Sequence, residues 1–514
     1  MFKSNLWLLF STTSNSLLFR KPFDGEPRGL YMRRTRIVAT IGPASQDNQM
    51  LYSLFQAGMN VCRLNYSHGE PEQKTELYHR IRSMEESIGR QTCILADLPG
   101  PKLRLGEFEG VHILAMGKKV ELHCGMANMA DASAEKLPVQ YEGLSAELKK
   151  DDPVLLSDGL IRLKVISTTG LKSGVVTCKV IDGGPISSRK GINVPGTLVD
   201  LPAIGPKDKI ALKHALDTGA DLIAVSYVRT PEDLQPAKDE IKSRGLTTWV
   251  VAKIEHPMAL EHLDDILDTA DAVMVARGDL GVEIPLEEVP IAQQRIIDGA
   301  LERGMPVIVA TQMLETMTVN PRPTRAEVSD ISTAIRQGAT GVMLSGETAS
   351  GEYPLEAVQT MAKIALSTEQ GLESSQLKPE SVTRFKSTRA VAHAGVELAK
   401  MANASRLLVA TERGNAPRLV SSYRPNIPIT AVTNTIETAR RVQLLPGVDS
   451  LVVEELDRGS STMQSALSRL VKLKRILPGH KIVAISGSPK AISGVTSTAR
   501  LYKVSQQGEI IGTE

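Results

Sequence analysis

The stretch Trp249–Gly281 contains two apolar runs, Val250-Val251-Ala252-Lys253-Ile254-Glu255 and Ala272-Val273-Met274-Val275-Ala276-Arg277-Gly278-Asp279-Leu280-Gly281. Residues 258–269 between them have a helical pattern, so the stretch predicts a strand–helix–strand unit. A strand that is buried on both faces can hold Lys, Glu, Arg and Asp only at its end. The sequence therefore predicts that these charged residues mark the mouth of the fold.

The same alternation of strand and helix extends in both directions from this stretch. Eight apolar runs have strand character, centred on Ile37, Val61, Ile94, Ile223, Val251, Val273, Ile308 and Met343. Eight strands separated by helices are what a (β/α)8 TIM barrel requires in roughly 250 residues, and active sites of that fold lie at the carboxyl ends of the strands. An open doubly wound sheet would show the same alternation, but it would not require eight strand ends to converge. The barrel is the favoured prediction.

Two regions of the chain break this rhythm. Residues 104–199 have short alternating runs between Gly, Asp and Ser, which predicts a small β domain, of β-barrel type, inserted into the barrel. Residues 373–384 are polar and indicate a linker, after which strands and helices alternate again. We expect residues 32–103 and 200–372 to form the (β/α)8 catalytic domain, 104–199 the β domain and 373–514 a C-terminal α/β domain.

Residues 1–31 precede the patterned sequence. Their apolar patch is too short for a signal-peptide core and is followed by polar residues. We expect an unstructured extension upstream of a start at Met32. A transit peptide is the alternative, because the first 23 residues contain Lys and Arg but no acid.

The charge balance and the cysteines limit the function classes. The chain has 60 basic and 58 acidic residues, which argues against a nucleic-acid or membrane-surface partner held by bulk charge. Its four cysteines lack CxxC spacing, so neither a zinc cluster nor a disulfide framework is indicated. No apolar run reaches the length of a membrane span. We expect a cytoplasmic protein.

Two carboxylates end neighbouring predicted strands. Glu255 and Asp279 would suit one hard divalent cation, Mg²⁺ or Mn²⁺, with water completing its shell. They could also act as an acid/base pair or lie as surface charges. Lys253 and Arg63 would supply positive charge for an anionic substrate such as a phosphoryl group, or simply neutralise the carboxylates.

The next residues favour anion binding. The backbone of Ala276–Asp279 could hold a carboxylate or phosphate, and Thr311 at the following strand end could add a hydroxyl contact. A metal, a lysine and an anion site without a Ser/His/Asp or Cys/His pair favour phosphoryl or enolate chemistry over acyl transfer.

Six stretches, in this order, resemble the pyruvate kinase family: Thr35–Ser45, Arg63–Gly69, Lys253–Glu255, Met274–Gly281, Ala310–Leu314 and Met343–Ala349. The resemblance covers Arg34 to Val504. It implies a barrel A domain, a mobile B-domain lid, a C-terminal regulatory domain and an allosteric homotetramer. The implied reaction is phosphoryl transfer from phosphoenolpyruvate to ADP, giving pyruvate and ATP in the last step of glycolysis.

The resemblance also implies roles for individual residues. Arg63 and Lys253 would stabilise the phosphoryl group, and Glu255 and Asp279 would hold Mg²⁺. The remaining implied contacts are to the substrate carboxylate (Ala276, Arg277, Gly278, Asp279, Thr311), the phosphate (Arg104), the waters near the enolate (Ser345, Glu347) and the nucleotide (Pro43, Asn65, His68, and Asp158 of the lid).

The chain departs from the family pattern after the third strand. Members that need K⁺ resemble Asp-Thr-Lys-Gly-Pro-Glu there, whereas this chain has Asp97-Leu98-Pro99-Gly100-Pro101-Lys102. Asn65, Ser67 and Asp97 of the monovalent-cation region are kept. The ammonium of Lys102 could provide the fixed positive charge instead, so we expect K⁺-independent activity.

A second departure lies in the C-terminal domain. Members activated by fructose-1,6-bisphosphate resemble Thr-Lys-Ser-Gly-Arg-Ser, whereas this chain has Thr411-Glu412-Arg413-Gly414-Asn415-Ala416. An acid beside a phosphate is unfavourable. We therefore expect no activation by this bisphosphate. Another phosphorylated effector, with Arg413, Arg418 and Lys490 as candidate ligands, stays open.

Two alternatives remain. Barrel aldolases and lyases that act on pyruvate or oxaloacetate enolates also use a carboxylate metal pair and an arginine. The inserted domain, Lys253 and Arg104 argue against them. A non-catalytic paralogue would have lost some of Lys253, Glu255, Asp279 and Thr311, and the chain keeps all four.

Overall fold

The structure is a computed structural model that describes residues 33–157, 159–372, 386–454, 456, 460–487, 496–505 and 509–512. The expectations for residues 1–31, for Asp158, for the linker at residues 373–384 and for Lys490 therefore lie outside the described residues. The chain begins with two strand–helix repeats and a third strand. These elements are β1 (Arg36–Thr40), α1 (Asn48–Ala57), β2 (Val61–Asn65), α2 (Pro71–Ile88) and β3 (Cys93–Asp97).

Residues 98–205 then leave this pattern and return to it. Their elements are β4 (Val111–Leu114), β5 (Lys119–Cys124), β6 (Lys136–Val139), α3 (Leu144–Glu147), β7 (Pro153–Leu156), β8 (Ile161–Thr168), β9 (Val175–Asp182), β10 (Gly184–Ser187) and β11 (Ile192–Asn193). Strand β8 alternates between buried and exposed residues, as expected for a sheet with one face on a core.

Five more strands follow with their helices. They are α4 (Pro206–Asp217), β12 (Leu222–Val225), α5 (Gln235–Ser243), β13 (Trp249–Ile254), α6 (Pro257–Glu261), α7 (Leu263–Thr269), β14 (Ala272–Ala276), α8 (Arg277–Glu283), α9 (Val289–Glu302), β15 (Val307–Ala310), α10 (Arg325–Gln337), β16 (Gly341–Leu344), α11 (Gly346–Ala349) and α12 (Pro354–Gln370). Three-residue and four-residue 3₁₀ turns lie at Pro231–Leu234, Leu286–Glu288 and Glu315–Thr318.

The predicted (β/α)8 barrel is confirmed. Strands β1, β2, β3, β12, β13, β14, β15 and β16 pair in that order, and β16 pairs with β1 to close the barrel. Every barrel pair is parallel. All residues of β13 and β14 are buried, because helices cover the outer face and side chains fill the interior.

One predicted helix is wrong. The continuous helix expected over residues 258–269 is two short helices, α6 and α7, which are separated at His262. The backbone of His262 (φ −99°, ψ 21°) lies outside the helical region. No Gly or Pro marks the break, so apolar periodicity alone could not reveal it.

The inserted residues form a small β domain, as expected. Six strands pair in the order β11-β7-β8-β9-β5-β6, and β4 pairs with β10 beside them. Arg104 pairs with Gly191 beside β11, and Leu105 pairs with Val139 of β6. Residues 104–105 thus join the two edges of the sheet, which hides its unpaired backbone groups.

The C-terminal α/β domain is also confirmed. Its elements are α13 (Lys386–Met401), β17 (Arg406–Ala410), α14 (Asn415–Ser422), β18 (Ile429–Thr433), α15 (Ile436–Arg441), β19 (Val448–Val452), α16 (Ser460–Lys472), β20 (Lys481–Ser486), β21 (Thr498–Val504) and β22 (Ile510–Gly512), with a 3₁₀ turn at Val442–Leu444. The strand order is β19-β18-β17-β20-β21-β22.

This domain packs against the amino end of the barrel. Trp249 at the start of β13 shares one apolar cluster with Leu419 and Val442 of the C-terminal domain. The carboxyl ends of the barrel strands lie at the opposite end. Among the helices that the structure describes, none combines the length and apolarity needed to cross a bilayer.

Candidate active site

A chain of ionic contacts links three barrel strands at their carboxyl ends. The Arg63 guanidinium on β2 donates from Nε to Asp97 Oδ2 (2.7 Å) at the end of β3. Lys253 Nζ on β13 lies 3.2 Å from the other oxygen, Asp97 Oδ1, and 2.8 Å from Glu255 Oε1. Lys253, Glu255 and Asp97 are buried, at 8%, 4% and 1% exposure. The predicted charged mouth therefore consists of paired, desolvated groups.

Burial and pairing act in opposite directions on Lys253 and Asp97. Burial alone would lower the pKa of Lys253, but the carboxylates of Asp97, Glu255 and Asp279 together raise it. Burial would likewise raise the pKa of Asp97, and the nearby Lys253 and Arg63 outweigh it and lower that pKa. Both groups are thus held in their charged forms.

Glu255 is a buried carboxylate that lies between Lys253 and the Tyr227 N–H. Burial raises the pKa of Glu255 to about 7, and the charge of Asp279 adds to this rise although Lys253 opposes it. Two acidic groups of this kind fit a hard divalent cation, because a cation between them would remove their repulsion. In the described part of the chain no cluster has three or more metal-ligating side chains. Water and substrate oxygens would have to complete the shell, as is usual for Mg²⁺.

The loop Ser226–Arg229 after β12 supports both charged groups, and the sequence analysis missed it. Lys253 Nζ donates to Ser226 Oγ (2.6 Å), and the Tyr227 N–H donates to Glu255 Oε2 (2.7 Å). Tyr227 has a positive φ of 57°, a conformation that L-residues seldom adopt. The fourth strand lacked a terminal charge in sequence, so no signal pointed to this loop.

The β14–β15 corner forms a second part of the site. Thr311, with φ 68°, accepts the Gly278 N–H at its hydroxyl (2.6 Å) and donates to the Ala310 carbonyl (2.6 Å). A Cβ on Gly278 would lie only 3.3 Å from the Thr311 Oγ1, so the close approach favours glycine. The residues after Ala276 form the short helix α8.

Arg277 lies in this corner with its side chain engaged elsewhere. Its guanidinium pairs with Asp330 (2.7 Å) and donates to the Thr311 carbonyl (2.8 Å). These contacts fix the strained Thr311 backbone. Asp279 is half-buried in the first turn of α8, which begins at Arg277.

Ser345 and Glu347 follow the last barrel strand. Glu347 is almost fully buried and accepts the N–H groups of Ser345 (2.6 Å) and Leu314 (3.0 Å). Burial raises the pKa of Glu347, and these backbone bonds oppose the rise. The carboxylate thus ties the β16 end to the segment that follows Thr311.

The residues of the proposed monovalent-cation region lie around the β2 and β3 ends. Asn65 accepts the Ser67 N–H (3.0 Å), and Leu98 is buried beside Asp97. Lys102 is exposed, and its N–H bonds to the Gly100 carbonyl (2.9 Å). Arg63 and Lys253 both contact Asp97.

Other predicted residues lie at the rim. Pro43 is exposed after β1, and His68 is exposed, with its carbonyl bonded to Lys74. Arg104 donates to the Arg189 carbonyl (3.1 Å), which fixes it to the inserted domain. In the C-terminal domain, a Cβ on Gly414 would lie 3.1 Å from the Trp249 ring, so the Thr411–Ala416 loop packs on the amino end of the barrel.

Comparisons with known proteins agree with this architecture. The family model described as the pyruvate kinase barrel domain matches residues 32–358, and that of the pyruvate kinase alpha/beta domain matches residues 389–502. The chain is 37% identical over 477 residues to a pyruvate kinase of Mycobacterium tuberculosis, covering 92% of this chain and 99% of that one.

Two further relatives extend the comparison. A pyruvate kinase of Geobacillus stearothermophilus is 39% identical over 491 residues, covering 93% of this chain and 82% of that one. A crystal structure of a pyruvate kinase from Cryptosporidium parvum superimposes with a TM-score of 0.84 at 32% identity, covering 92% of this chain and 96% of that one. With the barrel, the inserted β domain and both family models in agreement, the chain belongs to the pyruvate kinase family.

Proposed function

We propose that this kinase transfers the phosphoryl group of phosphoenolpyruvate to ADP in a Mg²⁺-dependent (or Mn²⁺-dependent) reaction that yields pyruvate and ATP. The observation that carries the proposal is the buried group of Lys253, Arg63 and Asp97 beside Glu255 at the carboxyl end of the barrel. Two cationic side chains next to the carboxylates of Asp97 and Glu255 suit a reaction in which negative charge moves between oxygens.

Lys253 and Arg63 would stabilise the phosphoryl group in flight. Their partners already hold them in place, so little reorganisation is needed when the charge develops. Arg104 would assist at the phosphate from the inserted domain. Exclusion of water by that domain would strengthen each of these interactions.

Glu255 and Asp279 would hold the divalent cation. When bound, the cation would supply charge neutralisation for the phosphoryl and substrate oxygens. Burial and the nearby charge of Asp279 raise the pKa of Glu255, and a bound cation would offset both effects, which supports this assignment.

The substrate carboxylate would bind at the β14–β15 corner, against the backbone of Ala276–Asp279 and the Thr311 hydroxyl. Arg277 belongs to the same set and would act by fixing Thr311. Ser345 and Glu347 would organise the water near the enolate. Pro43, Asn65, His68 and Asp158 would contact the nucleotide.

We also propose the domain roles and the assembly. Residues 104–199 would be the lid, residues 32–103 and 200–372 the catalytic domain, and residues 373–514 a regulatory domain that binds a phosphorylated effector. The enzyme would act as an allosteric homotetramer in the cytoplasm.

A coupled assay tests the reaction and separates it from the lyase alternative. Purified protein with Mg²⁺ and phosphoenolpyruvate should form pyruvate only when ADP is present, with one ATP per pyruvate. Pyruvate release that does not depend on ADP, or activity on oxaloacetate alone, would refute the proposal.

We further propose that turnover is independent of K⁺, with Lys102 as the source of the fixed positive charge. Turnover should stay within about twofold when KCl replaces an inert salt at equal ionic strength. Lys102→Glu should create a K⁺ requirement. A more than tenfold increase of wild-type turnover in KCl would contradict the proposal.

A further inference from the structure

Two backbone connections join the inserted domain to the barrel. The outgoing connection is residues 98–103 and the returning connection is residues 199–205. Domains joined by narrow connections are expected to move relative to each other unless their contacts prevent it. Both connections contact the loop Ser226–Arg229 after β12, which we call the β12 loop.

The outgoing connection rests on Ser226. The Ser226 Oγ donates to the Leu98 carbonyl (2.8 Å). Gly100, with φ +74°, passes so close that a Cβ on it would lie 2.6 Å from the Ser226 Cβ. A side chain cannot be accommodated there, so this contact couples the backbone of the connection directly to Ser226.

The returning connection rests on Arg229. The guanidinium of Arg229 donates to the carbonyls of Val199 (2.9 Å) and Leu201 (2.7 Å), and Asp233 holds the Arg229 N–H (2.8 Å). From the inserted domain, Glu147 accepts the N–H of Asp200 between them (3.2 Å). Consecutive backbone groups of this connection thus form hydrogen bonds alternately with the barrel and with the inserted domain.

One buried carboxylate ties the two connections together. Asp208, which is 3% exposed, accepts the Gly100 N–H (2.8 Å) of the outgoing connection and the Gly205 N–H (3.1 Å) of the returning one. Charge-assisted bonds of this kind are among the stronger hydrogen bonds in proteins. The two connections are therefore held as one unit.

The other side of the β12 loop faces the catalytic groups. Ser226 Oγ accepts from Lys253 Nζ (2.6 Å), and the Tyr227 N–H donates to Glu255 (2.7 Å). Tyr227 keeps a positive φ of 57°. A strained backbone of this kind persists only where its surroundings hold it.

We propose that the β12 loop couples the position of the inserted domain to the geometry of Lys253 and Glu255, with Arg229 and Asp208 as positioning residues. The inference rests on the proposed roles of Lys253 and Glu255. It assigns Arg229 a function without contact to substrate. When the inserted domain shifts the returning connection, Arg229 moves the loop that orients both groups.

The test compares three variants with the wild type. Arg229→Gln removes the guanidinium hydrogen bonds to the carbonyls of Val199 and Leu201. It should lower kcat about 10- to 100-fold, with less than a threefold change in KM for phosphoenolpyruvate. The lysine of Arg229→Lys can reach one carbonyl. The decrease in log kcat of this variant should therefore be at most two thirds of the decrease in Arg229→Gln. Asp208→Asn keeps the side-chain shape but loses one acceptor, and should lower kcat about 3- to 10-fold.

Arg244→Gln is the matched control, because Arg244 pairs with Asp217 and Glu240 on the outer surface and should leave kcat unchanged. The second readout is amide hydrogen exchange of the peptide containing residues 222–230. Arg229→Gln should speed its exchange about tenfold and leave the peptides of β1 and β16 as in the wild type.

The outcomes separate this proposal from the proposed function. If the wild type forms no pyruvate but the exchange changes as expected, the coupling stands and the reaction assignment fails. If the wild type is active and Arg229→Gln has kcat within twofold of it, the coupling is wrong. A third outcome is faster exchange throughout the barrel together with an equal decrease in kcat in Arg229→Gln and Arg229→Lys. This outcome would show that Arg229 only stabilises the fold, and it would also overturn the proposal.

Discussion

The two ends of the barrel both contain buried charge, but its partners differ. At the carboxyl end, Lys253 contacts the carboxylates of Asp97 and Glu255. At the amino end, the Arg36 guanidinium donates to the backbone carbonyls of Leu445 (2.5 Å) and Val448 in the C-terminal domain. Arg424 donates likewise to the carbonyls of Gly338 and Ala339.

The protonation behaviour follows this difference. Burial lowers the pKa of Arg36 to about 9 and that of Arg424 to about 10, because distant carboxylates offset the burial only in part. The pKa of Lys253 is raised instead by its adjacent carboxylates. The carbonyl partners of Arg36 and Arg424 join the barrel to the C-terminal domain, whereas the carboxylate partners of Lys253 keep its charge available for an anion. Barrels generally divide stability and catalysis between their ends in this way.

Removal of a proposed metal ligand should give the largest effect and sharpen the contrast. Glu255→Gln should weaken Mn²⁺ binding at least about 100-fold and lower turnover on the order of 10³-fold, because a hard anionic ligand is lost. Mn²⁺ binding can be measured by electron paramagnetic resonance without turnover. Glu261→Gln, on the exposed face of α6, is the control. Unchanged Mn²⁺ affinity in Glu255→Gln would remove Glu255 from the metal site.

Much of this contrast was predictable from sequence. Eight apolar runs separated by helical patterns favoured a barrel, and the charges after Ile254 and Ala276 could lie only at strand ends. The partners of the charges were not predictable, because Asp97, Ser226 and Lys253 are far apart in the chain and meet only through barrel closure. The same holds for Arg277, whose bonds to Asp330 and the Thr311 carbonyl depend on how α10 packs.

Substitution of a buried charge at the amino end should change the stability of the fold rather than turnover. Glu85 on α2 accepts from Arg440 Nη2 of the C-terminal domain (2.7 Å) and from Arg82 Nη1 (3.0 Å). Glu85→Gln would take the charged acceptor from Arg440, whereas Arg82 would keep Asp221 as its counter-charge (2.7 Å). The variant should lower the free energy of unfolding by about 1–3 kcal/mol. Turnover of the folded enzyme should stay within about twofold. Chemical denaturation and steady-state kinetics measure the two quantities.

Glu85 also gives this end a pH signature. Burial raises the pKa of Glu85 although Arg82 and Arg440 oppose the rise. The folded chain therefore binds a proton more readily than the unfolded chain, so this group's contribution to stability decreases as pH rises above the ordinary carboxyl pKa. Glu85→Gln should remove that component, and Glu86→Gln, its exposed neighbour, should keep it. Low turnover in folded Glu85→Gln would contradict the assignment of stability to the amino end and catalysis to the carboxyl end.

The smallest expected effect concerns the loop Thr411–Ala416, which packs near Trp249 at the amino end. Glu412 in this loop is exposed and would repel a phosphate. Fructose-1,6-bisphosphate should leave the half-saturating concentration of phosphoenolpyruvate within about twofold in saturation curves. A clear shift at sub-millimolar bisphosphate would show that this loop binds it and communicates with the carboxyl end.

The most direct test of the account is the turnover of Lys253→Met, measured on protein with a wild-type unfolding midpoint. Loss of one preorganised charge should lower ADP-dependent pyruvate formation on the order of 10²–10³-fold and leave Mg²⁺ binding largely intact. Lys242→Met, an exposed lysine on α5, should behave as the wild type. Near-normal turnover of Lys253→Met would contradict the assignment of phosphoryl transfer to the carboxyl end of β13.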